Sequence, residues 1–389
     1  MSLLSPAASR SAAFVCATAA LTLVVRAQSF TQTFGGLGAQ DGLGAWSTET
    51  GYLVAARNFS NAADGYQTVL HATSSTGATI GSTTWPIEGN NFMQQVVSAP
   101  DGAAFVCGSV MVAGARKHDA LFSKVLSNGT IQWTRTVPLA GSQQLFGGVA
   151  LADGGAVFCG VTESDGSHQP FAMRCDASGD TLWTRVEPSA SDAEAYAVDT
   201  DGEQLVFTGR TLTFGGHDDI LVFKTDLSGA PAWSSTFGGS SMDQGRAVSY
   251  AGDDVWMVAG WSDSFGPLDQ TTQRRTLRAY LLALNTAGDT LWTRTHGDTL
   301  FDQRCYGMCR AGSGGIYLSG ERSTPQGSDA VLMKLTMDGS SQWERVLDLG
   351  REDRLLHVAE VPNGVIGTGW SFGEFGRQVL FVRRNPDGN

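Results

Sequence analysis

Few of the 389 residues stand at spacings that could run a reaction. There is no His-Glu-x-x-His pair, no Gly-x-Ser-x-Gly elbow, no phosphate-cradling Gly loop and no zinc spacing. His118, His168 and His217 each precede an apolar run of strand character, but no two share a strand face, so no metal set is expected. Among the acids, Glu321, Asp302 and Asp353 are expected near the central channel of the fold, where carboxylates could serve a hydrolase or lyase. The competing chemistry is recognition. Arg57, Arg210, Trp261, Glu321 and Trp370 occupy one recurring position that changes in type from copy to copy, and Arg274 and Arg275 lie in a nearby insertion. Indoles offer large contact area at little entropic cost, and guanidiniums offer planar forks of donors, which suits a protein or carbohydrate ligand. Noncatalytic binding is the preferred reading, with no catalytic residue, metal or cofactor expected.

What positions these residues is a repeat. A small residue followed by Gly closes an apolar run at Cys107-Gly108, Cys159-Gly160, Thr208-Gly209, Ala259-Gly260, Ser319-Gly320 and Thr368-Gly369, with Ala55-Ala56 as a degenerate first copy. The spacing is 49–52 residues except for one of 60, where the loop 262–278 is enlarged. A second marker is a turn Gly followed four positions later by Trp: Gly129/Trp133, Gly179/Trp183, Gly229/Trp233, Gly288/Trp292 and Gly339/Trp343. The first copy has Gly77 and then Gly81. The last has Gly388 and then the chain's end, but a cyclic continuation from Asn389 into Gln28 puts Phe30 where the Trp belongs. Each copy holds four short β-rich runs between Gly, Asp, Asn or Ser turns. Seven units of four strands predict an all-β, seven-bladed β-propeller of antiparallel blades over 28–389, closed by the N-terminal strand Phe30–Phe34. Closure is required because an open ring would leave strand edges in water.

Arg10 precedes an apolar run from Ala12 to Val25, and Val25-Arg26-Ala27 reads as a cleavage site, so residues 1–27 are expected to be a signal peptide. The run is too short to span a bilayer, so a secreted or periplasmic protein without a membrane span is expected. Setting those residues aside removes Arg10 and Arg26 and no acids, which moves the formal charge from −12 to −14. Such an acidic chain disfavours nucleic acid as a partner. Five cysteines remain beyond Cys16 and cannot all pair; Cys107 and Cys159 share a repeat position held elsewhere by Ala, Thr or Ser and read as small buried side chains. Arg135, Arg185, Arg294 and Arg345 stand two residues after a Trp and are expected to stack on it. Asp243, Asp302 and Asp353 are expected to cap turns, and Lys124, Arg174, Lys224, Lys334 and Arg383 to play a structural role in third strands.

Gly216-His-Asp-Asp219-Ile-Leu-Val-Phe-Lys224-Thr-Asp-Leu-Ser-Gly229, Trp233-Ser-Ser-Thr-Phe-Gly-Gly-Ser followed by Asp243, and the strand end Val258-Ala259-Gly260 resemble the SBBP-type β-propeller repeats of secreted bacterial proteins. The resemblance implies an extracytoplasmic propeller of the kind used as a module in larger surface or adhesive proteins, and it brings no catalytic residues. Asp176-Ala-Ser-Gly179-Asp-Thr-Leu-Trp183 approaches the docking motif of quinoprotein-like propellers. Its Asp-to-Gly spacing is one residue short and no adjacent Cys pair is present, so no quinone cofactor is expected.

Overall fold

Runs in which apolar and β-branched residues dominate, cut at short intervals by turn glycines, can satisfy their backbone groups only by pairing with neighbours. In the computed structural model they do so as twenty-eight strands in seven four-stranded antiparallel sheets. The structure describes residues 28–389 except 37, 62–64, 88, 113, 116, 165, 214–215, 269, 271–273 and 375. The expected signal peptide, 1–27, lies outside the described residues. Blades 1 to 6 are the consecutive meanders 39–84, 91–137, 142–186, 193–237, 243–296 and 303–347. Blade 7 takes three strands from 353–384 and its outermost strand from Phe30–Phe34, paired Phe30 to Arg383 through Phe34 to Val379. Blade 7 packs back on blade 1. The chain is therefore a seven-bladed propeller, closed as the cyclic spacing requires.

The repeat markers have physical causes. Each Trp of an outer strand lies under the turn Gly of the next blade: a Cβ built on Gly288 would stand 3.2 Å from the Trp233 ring, and on Gly339 2.8 Å from the Trp292 ring. Those glycines sit at φ of 77–89°, where other residues are strained, so both backbone and contact select glycine. The indole N–H then donates to the same turn: Trp183 to the Leu227 carbonyl at 3.1 Å, Trp233 to Thr286 at 3.0 Å and Trp343 to Pro386 at 3.0 Å. Three of the third-strand cations reach those same oxygens, Arg174 at 2.7 Å, Lys224 at 3.2 Å and Lys334 at 3.4 Å, whereas Lys124 pairs with Asp101 and Arg383 donates to the Pro362 and Asn363 carbonyls. Where an Arg stands two residues after the Trp it donates to a further carbonyl of the turn, Arg185 to Gly229 and Arg345 to Gly388, whereas Ser235 takes that place after Trp233. Every such Trp-x-Arg is thus a clasp holding the next blade. Phe30 completes the cycle by packing under Gly77 of blade 1, with Tyr52 and Phe381 edge-on to its ring.

The one copy with no aromatic ring at that position, blade 1, leaves a visible gap. Gly81 pairs with Ala72 at the place where Trp233 pairs with Lys224, and nothing lies within 4 Å of its would-be Cβ. A cavity of about 380 Å³ opens there against Leu53, Ala72 and Ser127. Gly81→Trp is expected to raise stability by about 1–2 kcal/mol by burying an indole in that gap. A melting temperature unchanged or lowered relative to the parent would show that the seam between blades 1 and 2 cannot accept the clasp.

Between blades, apolar side chains of second and third strands interleave. Phe122 packs against Phe158 of the next blade at 5.0 Å, while Phe207 and Phe223 stack at 4.5 Å within blade 4. Cys107 and Cys159 are buried and free, as expected of small core side chains, and Cys305 and Cys309 are not bridged.

Candidate functional site

The first strand of each blade lines the central channel, and each carries a β-bulge at the same place. Register skips one residue between Gly42 and Gly44, Met93 and Gln95, Leu145 and Gly147, Ala195 and Ala197, Gly245 and Ala247, Cys305 and Gly307, and Leu355 and His357. A bulge frees one residue from the ladder and re-aims its side chain. The freed residues are Leu43, Gln94, Phe146, Tyr196, Arg246, Tyr306 and Leu356, and all seven line one channel cavity of about 260 Å³. A second cavity of about 510 Å³ continues toward the opposite end, sharing Gln95, Arg246, Tyr306 and His357 with the first. Bulging also explains the Gly that ends each second strand. A Cβ on Gly160, Gly209 or Gly260 would stand 1.8 Å from the carbonyl oxygen of Gln144, Glu194 or Gln244, which the bulge presses against it. The seven bulge residues were missed by the sequence reading, although each stands thirteen or fourteen positions ahead of that Gly or its Ala56 equivalent.

Connections from fourth to first strands and from second to third strands share one face, joined by backbone bonds such as Leu212 to Asp192, Ser323 to Asp302 and Phe372 to Glu352. Five of the seven candidate ligand residues belong to a linked network on this face, around the channel mouth. Arg57 bonds Asp41 at 2.9 Å, Asp41 meets Arg377 at 3.1 Å, and Arg377 lies over the Trp370 ring at 5.3 Å. Arg354 lies over the other side of this cluster, 5.2 Å from the Trp370 centroid, and binds Glu321 at 2.7 Å. Glu321 also takes Arg304 at 3.1 Å and the Tyr306 hydroxyl at 2.7 Å, and Arg304 lies over Trp261 at 5.9 Å. Arg210 binds Glu194 and Asp218, and Asp218 accepts from Gln244, the register partner of Trp261. Arg274 and Arg275 sit apart in the 262–278 loop, held by Asp302 and by the Gly266 carbonyl.

Trp261 and Trp370 are 8% and 6% exposed. They lie beneath guanidiniums instead of standing free on the rim, because a large ring directly after the strand-ending Gly is roofed by first-strand arginines of the following blade or its own. What faces solvent at these two positions is the Arg layer. Glu321, 1% exposed, is held by two arginines, while Asp302 and Asp353 accept backbone N–H bonds from Leu277 and Leu349 at 2.9 and 2.8 Å. Asp243 does the same for Gly239 at 2.8 Å, so all three aspartates cap loops, and none lines the channel cavities. Burial pushes Glu194 up, but hydrogen bonds from Arg210 and Tyr196 outweigh it and hold the carboxyl below its ordinary value. Burial, the Glu321 charge and its hydrogen bond push the Tyr306 hydroxyl far up, and Tyr196 is raised to about 12, so both rings stay neutral.

Burial pushes His357 of the channel wall, and His71 behind the closing strand, down from 6.5 to about 4. Between those pH values only the unfolded chain takes up these protons, so stability falls as pH drops through the window, by up to about 3 kcal/mol per histidine. Denaturation midpoints at pH 7.5 and 4.5 are expected to differ more for the parent than for the His71→Gln/His357→Gln double variant. Equal differences would assign the acid sensitivity to carboxylates alone.

No family model matches the chain, and no curated protein matches its sequence. Solved structures match through the fold. The WD40 β-propeller domain of Doa1 is 14% identical with a TM-score of 0.54, covering 90% of this chain and 95% of that one. The WD40 domain of Neurospora crassa Pan2 is 7% identical with a TM-score of 0.54, covering 90% of each. The periplasmic gluconolactonase PpgL of Pseudomonas aeruginosa is 13% identical with a TM-score of 0.50, covering 88% of this chain and 99% of that one. At such identities the likeness is one of fold.

Proposed function

We propose that residues 28–389 form an exported, noncatalytic binding propeller, in the manner of the SBBP-type repeat proteins it resembles, which docks a protein on the channel-mouth face. One observation carries this reading. Of the thirteen exposed large hydrophobic side chains among the described residues, nine stand on second-to-third-strand hairpins or fourth-to-first links of that face: Phe59, Met111, Leu212, Met242, Phe265, Leu268, Leu300, Leu349 and Phe372. Apolar side chains concentrated on one face around a polar centre are the arrangement of a docking surface. An aromatic row adds to it on blades 1 and 2, where Phe59, Tyr66, Phe92 and His118 follow one another at 4.9–5.1 Å. Asp41, Glu194, Asp218 and Glu321 on this face are engaged by arginines, and Asp243, Asp302 and Asp353 by loop N–H groups, which favours recognition over hydrolysis.

A surface-protein and glycan array probed with residues 28–389 tests the proposal. Specific capture that is lost in the folded Phe265→Ser/Phe372→Ser variant is the expected result. Capture of glycans alone would replace protein by carbohydrate as the ligand, and capture indifferent to these substitutions would move the site off this face.

A further inference from the structure

Around the channel mouth the charges do not cancel. Arg57, Arg210, Arg246, Arg304, Arg354 and Arg377 face Asp41, Glu194, Asp218 and Glu321, a local excess of two positive charges on a protein of formal charge −12. The excess is not spread evenly, since five of the six guanidiniums are ion-paired in the network. Arg246 is the exception. It is the one charged side chain among the bulge residues, and among the described residues it has no carboxylate partner and donates no hydrogen bond.

What holds Arg246 in place is aromatic. Its guanidinium lies 4.1 Å from the Tyr196 centroid and 5.8 Å from that of Tyr306, on the blades before and after its own. Both hydroxyls are engaged elsewhere: Tyr196 accepts from Arg210 Nε at 3.0 Å, and Tyr306 donates to Glu321. The rings therefore orient the guanidinium through their faces and leave its N–H fork free, at the junction of the two channel cavities. Stacked and desolvated on aromatic faces, an Arg fork is preorganised for a planar two-oxygen acceptor. The channel acids Asp199 and Glu360 line the far cavity and not the one that holds the bulge ring. Gln94 is tied to Arg57 through its carbonyl oxygen at 3.3 Å, which leaves its amide N–H groups as further donors in the same cavity.

We infer that Arg246 is the floor of a carboxylate-binding site in the channel mouth, taking a compact organic acid or an acidic side chain presented by the docked protein. The side-chain source rests on the docking reading above; the site itself does not. A cavity of about 260 Å³ admits a single monosaccharide-sized acid or one Asp or Glu side chain, but not a folded element. A planar carboxylate matches the two-donor fork of a guanidinium bidentately, and a cavity of this size holds one such group.

Calorimetric titration of residues 28–389 with two acids and their neutral counterparts tests the inference: D-glucuronate against D-glucose, and acetyl-Gly-Glu-Gly-amide against its Gln analogue. At least one acid is expected to saturate and to bind more than tenfold tighter than its counterpart, and the arm that does so identifies the source. Arg246→Gln should abolish that preference, and Arg246→Lys, which keeps the charge but not the fork, should retain part of it. Neither acid preferred over its neutral counterpart, or a preference unchanged in Arg246→Gln, overturns the site. Should Arg246→Gln fail to fold, a full-strength preference in Arg246→Lys would equally overturn the fork geometry. Array capture that persists without any acid preference would sink the site and leave the docking face standing, whereas acid binding with an empty array would do the reverse.

Discussion

Removal of residues 28–36 is expected to lower the melting temperature by about 10 °C or to drive aggregation, the largest effect foreseen for this molecule. The deleted strand supplies five register pairs to blade 7, the buried Phe30 and the contacts of that ring with Tyr52 and Phe381. Burial of one Phe contributes about 2–3 kcal/mol and each lost backbone bond about 1 kcal/mol, so a total near 5 kcal/mol is in view. At about 2 °C per kcal/mol for a chain of this size that is some 10 °C. The strand Gly376–Arg384 would become an open edge, and Arg384, which donates to the Phe30 carbonyl at 2.7 Å and to Thr31 at 2.8 Å, would lose both partners. Scanning fluorimetry with light scattering reads both outcomes. A truncated protein that melts with the parent and stays monodisperse would mean that blade 7 is stable with three strands.

Trp233→Ala is expected to cost about 2–4 kcal/mol, because it removes a half-buried indole together with its bond to the Thr286 carbonyl and leaves Gly288 facing a void. Lys224 still donates to that carbonyl, at 3.2 Å, and cannot fill the space. Urea denaturation followed by far-UV circular dichroism measures the loss. A cost under about 0.5 kcal/mol would show that the clasp merely covers the seam between blades 4 and 5 and does not hold it.

Much of this architecture could be read before any coordinates, because both repeat markers are consequences of close packing. The turn Gly is forced by the Trp beneath it and by its left-handed backbone, and the strand-ending Gly by the carbonyl that a bulge drives against it, so spacing alone counted the blades and placed Phe30. Positions in the site were legible only in part. Arg57, Arg210, Trp261, Glu321 and Trp370 were found because they follow that Gly. Their partners Arg304, Arg354 and Arg377 were not, because partnership across blades is a property of the closed ring and not of any one repeat. Burial of Trp261 and Trp370 could not be read either, since the arginines that cover them, Arg304 from the next blade and Arg354 and Arg377 from other strands of the same blade, meet the rings only once the strands pair. Arg246 escaped for a different reason. A bulge leaves its mark on the strand opposite, so the residue it frees has no motif of its own.

The strand that closes the ring is also the first of the described strands to be synthesised, while its partner is the last. Phe30 pairs with Arg383, so the final ladder joins positions that span nearly the whole described chain. Closing a loop of that length costs about 5 kcal/mol of chain entropy beyond the constant for starting it, which no local contact can repay in advance. Blades 1 to 6 are local meanders and can form as they emerge, whereas blade 7 must wait for both ends. Refolding should therefore end in a slow phase confined to the blade 7 and blade 1 seam, and until then the Phe30–Phe34 strand is an unpaired apolar edge that a second copy of the chain could capture.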